Sequence, residues 1–191
     1  MELFLYFEFN MYNGKLLVAA PSVIGDTNFH RSVVLITQHK DFGSIGFILN
    51  KKLEYTLNEV LEDIIVETPL YYGGPVEQDN LFFIHNAPSL INDSIKINDN
   101  LYWSGDFRAV VDLINSKKLS EKDIRFFLGY SGWSENQLQS EIKLKSWIVI
   151  DNHYRSDLLG IKDTNFWKNQ MIFLGGKYLI WSNTPENPNL N

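Results

Sequence analysis

The segment from Arg125 to Ile142, RFFLGYSGWSENQLQSEI, places a serine between glycines at the end of an apolar run. Such a serine suggests a hydrolase nucleophile, whose elbow has the pattern G-x-S-x-G and begins a helix at the serine. Here Trp133 occupies the fifth position, and the next helix-capping signal is the spacing between Ser134 and Gln137. The segment therefore departs from the elbow in both its last position and its helix start.

The same segment has a structural interpretation. Gly129 and Gly132 would permit close approach of the backbone, and Trp133 would pack at the start of the following helix. A catalytic Ser131 would need a base and an acid in triad geometry; His153 could supply the base, but no acid is marked out between them. We predict a tight strand-to-helix turn in which Ser131 is structural, with a catalytic serine as the alternative.

Gly73 and Gly74 precede a proline in the stretch YYGGPV. Neither phosphate-loop pattern, G-x-x-x-x-G-K-[ST] or G-x-G-x-x-G, is present. Consecutive glycines can form a nest of backbone N–H groups that binds an anion. Glycine and proline are nevertheless first of all turn residues, so the stretch favours a turn, with an anion nest as the alternative.

The four histidines are His30, His39, His85 and His153, and none forms the i, i+4 pair of a helical metal site. His39 and His85 each end a predicted strand, so a sheet could bring them together. A metal pair there would need carboxylates supplied by the fold. We predict hydrogen-bonded histidines at strand ends, with no metal and no cofactor.

The charge balance bears on the class of partner. The chain has 191 residues, with 17 Lys and Arg against 23 Asp and Glu, and its formal charge is −6. Binding to a phosphate backbone rewards clustered basic residues through counterion release. No basic run is longer than Lys51-Lys52 or Lys117-Lys118, so we expect no direct binding to duplex DNA.

The absence of cysteine excludes disulfides, thiolate catalysis and cysteine zinc sites. The first residues, MELFLYFEFNMYNG, contain no Lys or Arg and are interrupted by Glu2 and Glu8, unlike a signal peptide. No apolar stretch approaches the about 20 residues of a membrane span. These features predict a cytoplasmic protein without membrane association.

These residues must be positioned by a mixture of strands and helices. Apolar and β-branched runs predict strands at residues 14–21, 32–39, 43–50, 123–130 and 146–150, two more around the Gly-Gly-Pro turn within 69–85, and two short ones within 94–105. Apolar residues on both faces of 32–39 and 43–50 indicate strands covered on both sides.

Helix signals predict four helices, at residues 56–65, 106–118, 134–144 and 163–176. Thr56 and Glu59 have the spacing of a capping box, and Asp26 or Thr27 can cap a helical turn in the connector 24–32. About eight strands and four helices predict one α/β or α+β domain with a largely mixed or antiparallel sheet.

Several segments together resemble the AlgH/YqgE family of bacterial proteins. The resemblance rests on GKLLVAAPSVIGDTNFHRSVVLITQHKDFGSIGFILNK, LYYGGPVEQDNLFFIHNAP, LYWSGDF, FFLGYSGWSENQLQSEI and the dipeptide SW, in this order and spacing. The ending LGGKYLIWSNTPENPNLN resembles the Bacteroidetes branch. One departure is Ser134-Glu135-Asn136, where the family has Gly-Pro-Gly.

The resemblance implies a fold. It implies one α+β domain over residues 1–191, with a variable extension at 1–13 and an irregular polar tail at 183–191. It also implies a mixed, bent or bifurcated sheet, partly closed as a small barrel and surrounded by about four helices.

The resemblance also implies what kind of function to expect. The family has no established reaction, and its usual label, transcriptional regulator, comes from a genetic association with alginate control. We expect a non-enzymatic regulatory or interaction protein of the cytoplasm, whose partner is a protein or small molecule, with homo-oligomerisation left open. The alternative is an enzyme or small-ligand-binding protein with a pocket near the Gly73-Gly74 and Gly129–Trp133 loops.

The family's recurring polar and glycine positions supply the predicted ligand or partner surface. These positions are Arg31, His39, Asn50, Gly73, Gly74, Asp79, His85, Tyr130, Ser131, Trp133 and Gln137.

Overall fold

The structure, a computed structural model, describes residues 11–23, 25–162 and 165–184. The strands in these ranges are β1 (Leu16–Ala19), β2 (Val33–Lys40), β3 (Gly43–Ile48), β4 (Lys52–Thr56), β5 (Pro69–Tyr72), β6 (Val76–His85), β7 (Ile95–Lys96), β8 (Tyr102–Trp103), β9 (Ile124–Ser134) and β10 (Trp147–Ile150). The α-helices are α1 (Leu57–Val60), α2 (Phe107–Asn115), α3 (Gln137–Lys143), α4 (Phe166–Leu174) and α5 (Tyr178–Ser182). Two 3₁₀-helices are Pro21–Val23 and Arg155–Gly160.

The ten strands form one mixed, mainly antiparallel sheet. Its main path runs β10-β1-β2-β3-β9-β6-β8-β7, and β5 pairs with both β4 and β9. The path has two different ends, β10 and β7, and the described strands do not pair across them. The expected α+β domain with a mixed sheet is confirmed, whereas the partial closure into a barrel is not.

Strand β9 makes the sheet bifurcate. Its first half pairs in parallel with β5, through Phe126↔Leu70, and antiparallel with β6 on its other edge. Its second half pairs with β3, through Ser131↔Gly46. Strands β5 and β3 therefore share one edge of β9, one after the other, because β6 takes the opposite edge.

The Gly-Gly-Pro turn carries the chain from one edge of β9 to the other. A Cβ atom on Gly73 would lie 2.1 Å from the Gly129 carbonyl oxygen, and one on Gly74 would lie 2.3 Å from the Tyr130 carbonyl carbon. Real Cβ atoms do not approach backbone so closely. The turn is thus a crossover over β9 that only glycine can form, at the point where the sheet divides.

Burial follows the predicted pattern on the central strands. On β2, Val33 and Leu35 belong to one core cluster, and Val34 and Ile36 belong to another. All four side chains are fully buried, which confirms that this strand is covered on both faces. A third cluster lies around Phe126 and packs α2 against the β5–β9–β6 branch.

The first predicted helix is shorter in the structure than expected. The helix expected over residues 56–65 ends at Val60, although its capping box forms, with Glu59 Oε2 2.6 Å from both Thr56 N and Oγ1. Ile64 is buried while Val60 is 47% exposed, so the predicted apolar stripe is not one face of a helix. Here tertiary burial overrides helix propensity.

The other helices are shifted or divided. The helix expected from residue 134 begins at Gln137, because β9 continues through Ser134. The last predicted helix is described from Phe166, and its predicted start at residue 163 lies outside the described residues. The helix ends at Leu174 and is followed by Gly175, whose φ of +63° suits glycine. Helix α5 was not predicted. In the described ranges, no helix is long and apolar enough to cross a bilayer.

Candidate functional site

Ser131 is a buried residue of β9, so the prediction of a strand-to-helix turn at this position is wrong. Its side chain is fully buried, and its Oγ donates a hydrogen bond to the Gly73 carbonyl oxygen at 3.0 Å. The hydroxyl thereby joins the crossover to the strand beneath it. The sequence did not reveal this partner, since it lies 58 residues away.

The backbone requirement predicted for Gly132 is also wrong. Gly132 lacks the positive φ that favours glycine, and a Cβ there would first meet the flexible Tyr130 ring at 3.2 Å. The requirement falls on Gly129, with φ of +68°, and on Gly74, with φ of +151°. A Cβ on Gly129 would lie 2.5 Å from the Gly74 carbonyl oxygen, and one on Gly74 would meet the backbone of Tyr130 and Ser131, where the crossover passes over β9.

Tyr130 is half-buried beside the crossover. Its ring packs edge-on against Phe82, with 5.5 Å between the ring centroids. Phe126 is fully buried, and Leu128 is partly buried against the core.

Glu141 joins two tryptophans. The indole N–H groups of Trp133 and Trp147 both donate to Glu141 Oε2, at 2.9 and 2.7 Å, and the Gln137 amide donates to Oε1 at 2.9 Å. Trp133 is 5% exposed and Trp147 is 4% exposed. The carboxylate therefore fixes α3 against β9 and β10.

A cavity of about 420 Å³ lies beside this cluster, between the connector and the strand–helix junction. Its walls include Phe29, Gly132, Trp133 and Gln137. Phe29 packs on both tryptophans, with centroid distances of 6.2 and 5.4 Å. The three rings therefore pack on one another rather than around a ligand. On the other wall Asp26 accepts from Asn28 N and Phe29 N, at 2.9 and 3.1 Å, and caps the connector as predicted.

His39 lies at the end of β2 and is 5% exposed. Its Nδ1 is 2.7 Å from Ser44 Oγ, and the Gln139 amide nitrogen is 3.3 Å from its Nε2. The Tyr12 ring meets it edge-on. Desolvation lowers the pKa of His39 below its ordinary value, and Asp41 opposes part of this shift.

His85 lies at the end of β6 in the other branch and is fully buried. Its Nε2 is 3.2 Å from the Ser104 carbonyl oxygen, and Ala87 N donates to its Nδ1 at 3.2 Å. Desolvation lowers its pKa, partly opposed by the bond to Ser104. Its partners and those of His39 share no residue, so the hypothetical histidine pair does not form.

Both neutral imidazoles make stability depend on pH. Since burial holds the folded pKa values of both histidines below the ordinary value of about 6.5, the unfolded chain takes up protons first as the pH falls. The stability they contribute is present above that value and is lost as the pH falls towards the folded pKa. We expect the urea midpoint to fall between about pH 7.5 and about pH 5.5, and to fall less in His85→Gln. An equal pH dependence in the two proteins would contradict this.

Asp79 is exposed on β6, where the register between β6 and β9 shifts. Within the described ranges, its carboxylate makes no hydrogen bond or ion pair. In the same ranges, no three His, Asp or Glu side chains are grouped so that they could hold a metal ion.

Asn50 holds the backbone before β2. Its Nδ2 donates to the Arg31 carbonyl oxygen at 2.8 Å, and Val33 N donates to its Oδ1 at 2.8 Å. Arg31 has the positive φ of +53° that side chains rarely adopt. The amide clamp maintains this conformation, which directs Arg31 towards the C-terminal helices.

Arg125 is a buried cation that the sequence analysis missed. It is 4% exposed, and its guanidinium donates to the carbonyl oxygens of Leu49 at 2.9 Å and of Leu159 and Ile161 at 2.5 Å each. It also stacks over Tyr71, 4.4 Å from the ring centroid. The only sequence signal was a charge within an otherwise apolar strand, DIRFFLGY.

The predicted surface residues thus fall into separate groups. Gly73 and Gly74 meet Tyr130 and Ser131 at the crossover. Trp133 and Gln137 both donate to Glu141, and Asn50 donates to the Arg31 carbonyl oxygen. His39, His85 and Asp79 each lie apart from these groups.

The class of protein is an α+β domain whose sheet divides at β9, beneath a glycine crossover. Comparisons with known proteins agree with this class. The profile of the AlgH-like family matches residues 16–179, so the chain belongs to the AlgH-like family. A UPF0301 protein of Cytophaga hutchinsonii is 43% identical over 180 residues, covering 93% of this chain and 98% of the relative. One of Parabacteroides distasonis is 42% identical over 182 residues, covering 93% and 90%.

Two solved structures share the fold. A crystal structure of a Corynebacterium diphtheriae protein has a TM-score of 0.72 at 22% identity, covering 93% of this chain and 97% of that one. The solution structure of AlgH from Pseudomonas aeruginosa has a TM-score of 0.69 at 23% identity, covering 91% and 94%. The resemblance to this family, with its Bacteroidetes relatives, is therefore confirmed.

Proposed function

We propose that this chain is a non-enzymatic protein that acts by binding, in a regulatory or interaction role in the cytoplasm. The observation that supports this is the hydrogen bonding of the three best candidates for catalysis, Ser131, His39 and His85. Each uses its polar atoms in hydrogen bonds within the fold, and the three sets of partners do not overlap. Catalysis would instead need them convergent around a reacting atom.

The partner we propose is a protein, a second copy of the chain, or a small molecule. Duplex DNA is not proposed as a direct partner, because the formal charge is −6 and long basic runs are absent.

The alternative is an enzyme or ligand-binding protein that uses the cavity beside Gly132 and Trp133. Its volume of about 420 Å³ favours this candidate, since it falls within the usual range for small-molecule sites. As an enzyme, this alternative would require a reactive residue in the cavity wall, and Ser131 is not among the lining residues.

A serine-reactive fluorophosphonate tests the catalytic-serine form of the enzyme alternative. We expect no stoichiometric labelling of Ser131 in the intact protein, because its hydroxyl is buried and bonded to the Gly73 carbonyl. Ser131→Ala is expected to lower the free energy of unfolding by about 1 kcal/mol, the net value of one hydrogen bond, because the Gly73 carbonyl still accepts from Ile48 N at 3.0 Å. Adducts are mapped by peptide mass spectrometry and stability by urea denaturation.

Ser89→Ala is the matched control, because Ser89 is exposed and its loss should leave the urea midpoint unchanged. Stoichiometric labelling of Ser131 that disappears in a folded Ser131→Ala protein would overturn the non-enzymatic proposal.

A further inference from the structure

A second cavity, of about 390 Å³, lies between the segment before β2 and the first turn of α4. We call it the basic cavity and define it by Arg31, Asn50, Lys51, Trp167 and Lys168. Three of these five residues are cations, and none of the lining residues in the described ranges is acidic. This is a concentration of positive charge on a chain whose formal charge is −6.

Arg31 is fixed in the wall of this cavity. The Asn50 clamp holds its strained backbone, and its guanidinium carbon lies 4.9 Å from the centroid of the Trp167 ring. Its Nη2 donates to Thr184, at 2.6 Å to the carbonyl oxygen and 3.0 Å to Oγ1. A strained residue held by several partners is typical of a preorganised site.

Lys51 adds a second charge that is only partly compensated. Its Nζ donates to the carbonyl oxygens of Thr27 and Asn28, at 3.1 and 2.6 Å. Burial lowers the pKa of Lys51, and the nearby Asp26 opposes part of that shift. Within the described ranges, no ion pair contains Lys51 or Lys168.

Lys168 lines the same cavity from the first turn of α4, where it is half-buried. In the part of the chain described, its ammonium makes no hydrogen bond. Cations that share a concave, partly desolvated space create a positive potential that attracts an anion. Lys168 is the member of the set whose charge serves no other contact.

We propose that the basic cavity binds a small molecule that carries a phosphate group. Three cations match the dianionic charge of a phosphomonoester better than a single carboxylate, and Arg and Lys are the usual phosphate ligands. The cavity has the volume of a small-molecule site rather than of one ion, so part of it would hold the organic portion. The inference rests on the proposed binding role and names its ligand class.

The test is isothermal titration of the full chain with inorganic phosphate and with pyrophosphate, at a constant ionic strength of about 0.15 M. Citrate is titrated in parallel to distinguish phosphate from polycarboxylate recognition. We expect saturable one-to-one binding of at least one of the two phosphates, and weaker or no binding of citrate. Lys168→Gln should weaken the phosphate affinity by about tenfold or more.

Lys118→Gln is the matched control, because it makes the same charge change at an exposed turn. Its affinity should stay within about twofold of wild type. Binding should also shift the NMR signals of the Trp167 indole N–H and the Arg31 amide, while thermal melts show that Lys168→Gln remains folded.

Three results would overturn the inference: no saturable binding of either phosphate, equal weakening in the two lysine variants, or tighter binding of citrate. Each leaves the proposed function intact if Ser131 stays unlabelled by fluorophosphonate. Labelling of Ser131 would refute the proposed function without touching the phosphate titration.

Discussion

Gly74→Ala is expected to cost about 4 kcal/mol or more of the free energy of unfolding. A Cβ at this position would lie 2.3 Å from the Tyr130 carbonyl carbon and 2.4 Å from Ser131 N. Both obstacles are backbone of β9, so no side chain can rotate away to make room. The φ of +151° adds a second penalty, because L residues rarely adopt it.

The measurement is urea denaturation followed by far-UV circular dichroism. Gly25→Ala is the control, because a Cβ there meets no atom within 4 Å, and its cost should stay within about 1 kcal/mol. Gly132→Ala should fall between the two, since its Cβ would meet only side chains, the Tyr130 ring at 3.2 Å and Val76 Cγ2 at 3.5 Å. A Gly74→Ala protein as stable as Gly25→Ala would show that the crossover does not pack on β9 as described.

The sequence predicted the features that depend on neighbouring residues. Strands β2 and β3 followed from two β-branched apolar runs, and the burial of β2 on both faces followed from its continuous apolar pattern. The Thr56–Glu59 capping box was also predicted correctly. Each of these signals lies within a few residues of the structure it specifies.

Features that depend on distant contacts were missed or misread. The apolar residues at 57–64 have a helical period, but the helix ends at Val60, which is 47% exposed, while Leu57 and Ile64 are buried in the same core cluster. Ser131 was placed in a turn, because Gly129 and Gly132 suggested a bend that pairing with β3 prevents. No local pattern shows that strand β9 will have partners on both edges along its length.

The candidate site shows the same division. Arg31 and Asn50 were predicted as surface residues, and their direct contact follows from the pairing of β2 with β3, because Arg31 lies just before β2 and Asn50 just after β3. Lys51 and Lys168 were not predicted as members of this surface. Lys168 comes from a helix more than a hundred residues away in the chain, so no local pattern connects it with Arg31 and Lys51. Charge that is dispersed in sequence becomes concentrated only through the packing of α4 against β1.

Arg125→Met is expected to destabilise the protein by about 3 kcal/mol or more. The guanidinium serves three carbonyl groups, those of Leu49, Leu159 and Ile161, and each unpaired buried carbonyl costs about 1 to 3 kcal/mol. Removing the charge recovers a desolvation penalty of several kcal/mol, visible in the pKa of Arg125, which burial lowers. Three unpaired carbonyls outweigh that recovery, and the stacking on Tyr71 is lost as well.

Two further variants isolate the role of the guanidinium. Arg125→Lys keeps the charge, but a compact ammonium cannot reach Leu49 on one side and Leu159 and Ile161 on the other, so it should recover only part of the loss. Arg108→Met removes an exposed cation from α2 and should stay within about 0.5 kcal/mol of wild type.

The same bonds predict where Arg125→Met should loosen the structure. Leu159 and Ile161 belong to the segment around the 3₁₀-helix Arg155–Gly160, which links β10 to α4. Without the guanidinium, that segment loses its polar contact with β9, so its amides should exchange faster with solvent while those of β2 stay protected. Urea denaturation and hydrogen exchange provide the two measurements. If Arg125→Met were no less stable than Arg108→Met, and its exchange unchanged near residue 159, the three carbonyl bonds would contribute nothing to holding this segment on the sheet.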